Sequence, residues 1–100
     1  MQQSEGTFDA LVVDCLTLWV SNLMLAGYDD LENRFAEVVR VALASPLALI
    51  FVTNEVGCGI VPETELGRRF RDAAGRLNQM LAAVASEVYW MAFGIPTRIK

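Results

Sequence analysis

The chain has 100 residues, 54% of them apolar, with eight basic and twelve acidic side chains and a net charge of −4. That length holds one small domain, the acidic balance argues against a nucleic-acid binder, and no apolar run reaches the roughly 18 residues of a membrane-spanning helix. The polar start, MQQSEGTFD, has no basic n-region, so no secretory signal peptide is read there and the expected location is cytoplasmic.

Residues 1–8 read as a linker or ragged start. Asp9 to Asp14, DALVVD, reads as a short strand whose continuous apolar middle suits burial on both faces of a parallel sheet. Thr17 is placed to cap a helix that carries Leu16, Val20, Leu23 and Met24 on one face and ends at Gly27. Asp29 or Asp30 can cap a second helix with an apolar stripe of Leu31, Phe35, Val38, Val39 and Ala42, stopped by Ser45-Pro46. Leu47 to Thr53, LALIFVT, is β-branched and aromatic without alternation, which predicts a central strand covered on both sides.

A two-glycine loop, Asn54 to Glu63, leads to a long helix over about Glu63 to Ala85, with Leu66, Phe70, Ala73, Ala74, Leu77, Leu81 and Val84 as its buried face. Glu87 to Phe93, EVYWMAF, reads as a third strand. Gly94-Ile95-Pro96 turns the chain, and the final TRIK suits a short antiparallel edge strand. Strands alternating with helices define an α/β fold with a mostly parallel sheet and helices on both faces.

Ligands of open parallel sheets bind beyond the carboxyl ends of the strands. Asp14 stands at one such end and Thr53-Asn54-Glu55 at another. A carboxylate ending an apolar strand can hold magnesium against a nucleotide's phosphates, or it can simply cap the next loop. Gly57 and Gly59 permit close approach to a ligand, or an ordinary strand-to-helix connection. On the long helix, Glu65 with Arg69 and Asp72 with Arg76 have favourable i,i+4 order, and a solvated charged face accounts for such a pattern equally. Gly75 in mid-helix hints at a closely packed neighbouring backbone. Trp19 and Trp90 suit a core or an interface better than a substrate platform.

With no histidine in the chain, Ser-His-Asp and Cys-His mechanisms have no general base. Cys15 and Cys58 are too far apart in sequence for a zinc pattern and read as two reduced thiols, with a disulfide between them as the lesser alternative.

Three stretches, VVDCLTLWVSNLM, FVTNEVGCGIVPE and GRRFRDAAGRLNQMLAAVASEVYWMAFGIPTRIK, carry a resemblance. In order and spacing the chain resembles, from about Asp9 to Lys100, the carboxyl-terminal half of the adenosylcobinamide kinase/adenosylcobinamide-phosphate guanylyltransferases of cobalamin biosynthesis. The resemblance implies a partial RecA-like P-loop NTPase fold over residues 9–100. In the intact enzyme it implies two reactions: phosphorylation of adenosylcobinamide by GTP or ATP, and transfer of GMP from GTP through a guanylylated histidine. Asp14 matches the acidic end of the family's Walker B strand and would contact magnesium, through water, or the nucleotide. Asn54 and Glu55 match its active-site loop. Arg69, Arg71, Asp72, Arg76, Asn78 and Gln79 match its signature helix, as candidate site or interface residues. Family members form oligomers, trimers in particular, so a homo-oligomer is the expectation.

The family's phosphate-binding Gly-x-x-x-x-Gly-Lys-Ser loop and its nucleophilic histidine have no counterpart here. The expectation is an enzyme fragment, inactive alone, that lacks the phosphate-loop strand. A truncated α/β module serving as an oligomerising or binding partner, or a piece of another P-loop NTPase, is the alternative. Without that strand, EVYWMAF is expected either to pair directly with LALIFVT or to be completed by a neighbouring copy.

Overall fold

The apolar runs ALVVD and ALIFV extend as strands β1 (Ala10–Asp14) and β2 (Ala48–Val52). In the computed structural model, which describes residues 10–56 and 62–100, the two strands pair in parallel, in register from Ala10↔Ala48 to Asp14↔Val52. Residues 1–8, Asp9 and the Gly57–Gly59 pair of glycines, with Cys58 between them, lie outside the described residues.

Two helices make the crossover. Helix α1 (Leu16–Leu25) begins two residues earlier than a Thr17 cap requires: Cys15 occupies the N-cap position, and Thr17 lies inside the first turn. Gly27 ends this helix as expected. Its φ of +86° lets its N–H donate to Met24 O (3.1 Å) and the Tyr28 N–H donate to Leu23 O (3.2 Å), the two bonds of a Schellman motif.

Helix α2 (Leu31–Ala44) starts from Asp30 and stops at Ser45, before Pro46. The Asp30 carboxylate caps no backbone N–H and instead accepts from Arg34 Nε at 2.9 Å. The Arg34 guanidinium also lies 3.8 Å over the Tyr28 ring.

Helix α3 (Glu65–Val84) is capped by Thr64, whose Oγ1 accepts from the Gly67 N–H at 3.0 Å. At its far end Lys100 Nζ donates to the carbonyls of Ala82 (2.7 Å) and Ala83 (3.1 Å), a cation against the negative end of the helix dipole.

The core is built from one stripe of each helix. Leu16, Val20 and Leu23 of α1, Phe35 of α2, and Ala74, Leu77 and Leu81 of α3 are buried, with Val13 and Phe51 of the sheet packed on them. Phe35, Leu77 and Val20 are the largest fully buried side chains, each contributing about 1.5–3 kcal/mol by burial. Trp19 joins this core, its ring centroid 6.0 Å from that of Phe35.

Several expectations are corrected. The β1–β2 sheet is covered on one face only: Leu11, Val13, Leu49 and Phe51 turn inward, whereas Val12 and Ile50 are 58% and 53% exposed. A continuous apolar run therefore did not mean two-sided cover here, because all three helices contribute to a single core layer. Leu66 and Val84, placed on the buried face of the long helix, are exposed near its ends. Finally, EVYWMAF does not pair with LALIFVT. Its middle forms β3 (Tyr89–Ala92), which pairs antiparallel with β4 (Ile95–Arg98) as a separate hairpin. The turn is Phe93-Gly94, with φ of 54° and 74°, a two-residue loop whose positive φ values match the strand twist. The final strand is antiparallel as expected, but it runs over Ile95–Arg98 and not over TRIK, so Ile95 and Pro96, placed in the turn, pair in the strand. Trp90 is half exposed on the hairpin, outside the core.

Candidate functional site

Because β1 and β2 are parallel and in register, Asp14 and the Thr53–Asn54–Glu55 segment leave the sheet at the same end. All four are exposed to solvent. Asp14 joins Cys15 through a cis peptide, and α1 starts immediately after it.

A chain of side-chain hydrogen bonds crosses this end of the molecule. Thr53 Oγ1 donates to Asn78 Oδ1 (2.7 Å), and Asn78 Nδ2 donates to the Asn54 carbonyl (3.1 Å). On the other side, Asn54 Nδ2 donates to Thr17 Oγ1 (3.3 Å), which lies 2.8 Å from Cys15 Sγ. Further along the loop, Arg71 Nε donates to the Val56 carbonyl at 2.9 Å. The Thr17 hydroxyl, followed by the Leu18 backbone N–H, holds the Cys15 thiol below its ordinary pKa by stabilising the thiolate. Cys15 is a free thiol.

The residues of the signature helix therefore divide. Arg71 and Asn78 reach the loop after β2. Arg76 does not: its Nε (3.1 Å) and Nη2 (2.9 Å) both donate to Glu32 Oε1, tying α3 to α2. Arg69, Asp72 and Gln79 are exposed on α3 away from the loop contacts. Among the described residues, neither expected ion pair, Glu65–Arg69 or Asp72–Arg76, forms; Arg76 takes the interhelical carboxylate instead.

Thr17 was legible only as a helix cap. It is the one buried polar residue among those described. The signal for a larger role is a hydroxyl three residues before Val20 on the apolar stripe of α1, where a buried polar group needs a partner on another element. A separate shallow hollow between α1 and α3, lined by Ser21, Met24, Leu25, Leu66 and Phe70, is apolar and carries no charged group.

Among the described residues, no three His, Cys, Asp or Glu side chains cluster as a metal cage. A single exposed carboxylate such as Asp14 fits a different mode, in which magnesium keeps several waters and arrives with phosphate oxygens.

The arrangement is that of an α/β protein with a parallel strand pair and a polar cluster at its carboxyl edge, the edge where such sheets take ligands. Comparison with known proteins narrows the class. The family model described as cobinamide kinase / cobinamide phosphate guanyltransferase matches residues 1–99, and the chain belongs to that family. It is 41% identical over 106 aligned residues to the bifunctional adenosylcobalamin biosynthesis protein CobU of Salmonella typhimurium, covering 92% of the chain and 59% of that protein. It is 38% identical to CobU of Escherichia coli at the same coverage. With the bifunctional adenosylcobalamin biosynthesis protein CobP of Pseudomonas aeruginosa it shares 40% identity over 91 residues, 90% of the chain and 53% of the relative. The chain thus spans less than three-fifths of the length of these relatives.

Proposed function

We propose that this chain is the rear portion of a bifunctional enzyme that phosphorylates adenosylcobinamide with GTP or ATP and transfers GMP from GTP to the phosphorylated product. The observation that carries this reading is the shared exit of Asp14 and Asn54–Glu55 at one end of an in-register parallel strand pair. In this reading the sheet is part of a RecA-like P-loop fold. Asp14 holds a nucleotide-borne magnesium through water, a role suited to a solvent-facing carboxylate, and the magnesium would neutralise charge on the phosphates. Asn54 and Glu55 border the nucleotide, and Arg71 and Asn78 set the loop that carries them. The enzyme works in the cytoplasm as a homo-oligomer, as a trimer if it follows its family.

The chain by itself is inactive in this account. It contains no histidine and no Gly-x-x-x-x-Gly-Lys-Ser segment, so neither a guanylylated imidazole nor a backbone cradle for a triphosphate can form within it. Isothermal calorimetry of the 100-residue chain with GTP, with and without magnesium, tests this. The expected result is no saturable binding below millimolar concentration. Micromolar binding would refute the fragment account, because the described residues would then have to grip phosphates without that loop.

A further inference from the structure

The segment after β2 is gripped from two sides. From α3, the Asn78 carboxamide uses both ends: Oδ1 accepts from the Thr53 hydroxyl and Nδ2 donates to the Asn54 carbonyl. Arg71 takes the Val56 carbonyl seven residues earlier on the same helix. Seven helical residues rise about 10.5 Å, and three extended residues, from 53 to 56, reach about 10–11 Å. The loop therefore runs along two turns of α3 in the opposite chain direction. From α1, Thr17 accepts the Asn54 side-chain amide. Thr17 sits in the first turn, where no preceding helical turn offers a carbonyl to its hydroxyl, so its oxygen, which also meets Cys15 Sγ at 2.8 Å, accepts from the loop. Its burial makes a satisfied hydroxyl matter.

We propose that Thr17 and Asn78 are positioning residues, a two-sided latch that holds Asn54 and Glu55 beside Asp14 at the carboxyl edge of the sheet. Its bearing on catalysis rests on the nucleotide-edge reading above; the latch itself does not. The two helices then set where Asn54 presents its backbone and where the chain enters Glu55. Asp at position 78 keeps the acceptor for Thr53 and replaces the donor to Asn54 O with a second oxygen. Val at position 17 keeps the shape and removes the acceptor, and Ser restores it.

The test follows the side-chain amide protons of the complete 100-residue chain by ¹⁵N-resolved NMR, without nucleotide. The chain has four asparagines, at positions 22, 33, 54 and 78, and Asn22 and Asn33 are exposed references. The Asn54 and Asn78 carboxamide protons should exchange with solvent roughly tenfold more slowly than those references, the factor expected from a net hydrogen bond. Thr17→Val should remove that protection at Asn54, and Thr17→Ser should keep it. Asn78→Asp should increase backbone mobility at Asn54 and Glu55 while the Ala74 and Leu77 amides in the core stay equally protected. Asn54 exchanging as fast as Asn22 in the parent chain overturns the proposal. So does a Thr17→Val variant that loosens loop and core alike, or a Thr17→Ser variant no better protected than Thr17→Val. Because no nucleotide is in the sample, a failure of the nucleotide-edge reading in calorimetry leaves these rates unchanged, and the two failures are told apart.

Discussion

Helix α3 contains two glycines whose replacement by alanine should affect stability differently, with a gain at one and no gain or a loss at the other. At Gly75, a Cβ would stand 3.9 Å from Val56 Cγ2, an ordinary van der Waals contact. Alanine then supplies the usual helix-interior gain, about 0.8–1.0 kcal/mol, with a contribution from restricting the unfolded chain. At Gly67, a Cβ would stand 2.8 Å from Thr64 Oγ1 and 2.9 Å from Pro62 Cβ. Both atoms are hard to move, since one is the helix cap acceptor and the other belongs to a stiff ring. Displacing the cap costs about 1 kcal/mol, and the steric adjustment consumes what remains of the propensity gain. Urea unfolding followed by circular dichroism reads both variants. With a urea slope of about 1–3 kcal/mol/M, Gly75→Ala should raise the midpoint by roughly 0.3–1 M, and Gly67→Ala should lower or fail to raise it. A destabilised Gly75→Ala would refute the reasoning, because a backbone would then have to pack against position 75 more closely than Val56 does.

Two further outcomes check the core and the site. Leu77→Ala removes a fully buried side chain at the centre of the helix layer and should cost about 2–5 kcal/mol, a large part of a small domain's stability of about 5–15 kcal/mol; a loss under about 1 kcal/mol by urea unfolding would place Leu77 outside the core. In a Cys58→Ser background, the alkylation rate of Cys15 against pH should show its inflection below that of an ordinary thiol, because the Thr17 hydroxyl and the Leu18 amide favour the thiolate. Thr17→Val should move the inflection up. The linked stability has a definite sign: a depressed folded-state pKa contributes stability above the unfolded-state pKa, and that contribution fades as pH falls through the folded value. An unshifted inflection in the parent chain overturns this reading of the Cys15–Thr17 contact.

Element types were readable from sequence wherever periodicity and punctuation agreed. The stripe Leu31, Phe35, Val38 and Val39 with Asp30 before it and Ser45-Pro46 after it fell within a residue of α2, and Gly27 marked a left-handed stop. Sheet organisation was not readable in the same way. ALIFV has the composition of a strand buried on both faces, yet Ile50 and Val52 are exposed, because local composition records that a strand tolerates cover and not whether a second layer lies within the chain. The same limit applies to EVYWMAF. Its apolar content suits a central parallel strand, but Phe93-Gly94 closes a tight turn four residues after Tyr89, and a hairpin partner adjacent in sequence wins because its closure loses far less chain entropy than a crossover.

For α3 the sequence held more than residue types alone conveyed. Successive residues turn about 100° around a helix of 3.6 residues per turn, so Arg71 and Asn78, seven apart, lie within about 20° of one another. Ala74, Leu77 and Leu81 fall about 60–120° to one side of that line, and Arg69, Asp72, Arg76 and Gln79 about 80–160° to the other. Arg71 and Asn78 are thus the polar residues that border the apolar stripe, and a side chain there can reach over the core to an element packed beside it. Those two make the loop contacts, whereas Arg76 on the far side meets α2 through Glu32. The division between site and surface on this helix follows from angular position: a motif match that treats its six polar residues as equivalent discards the information that separates them.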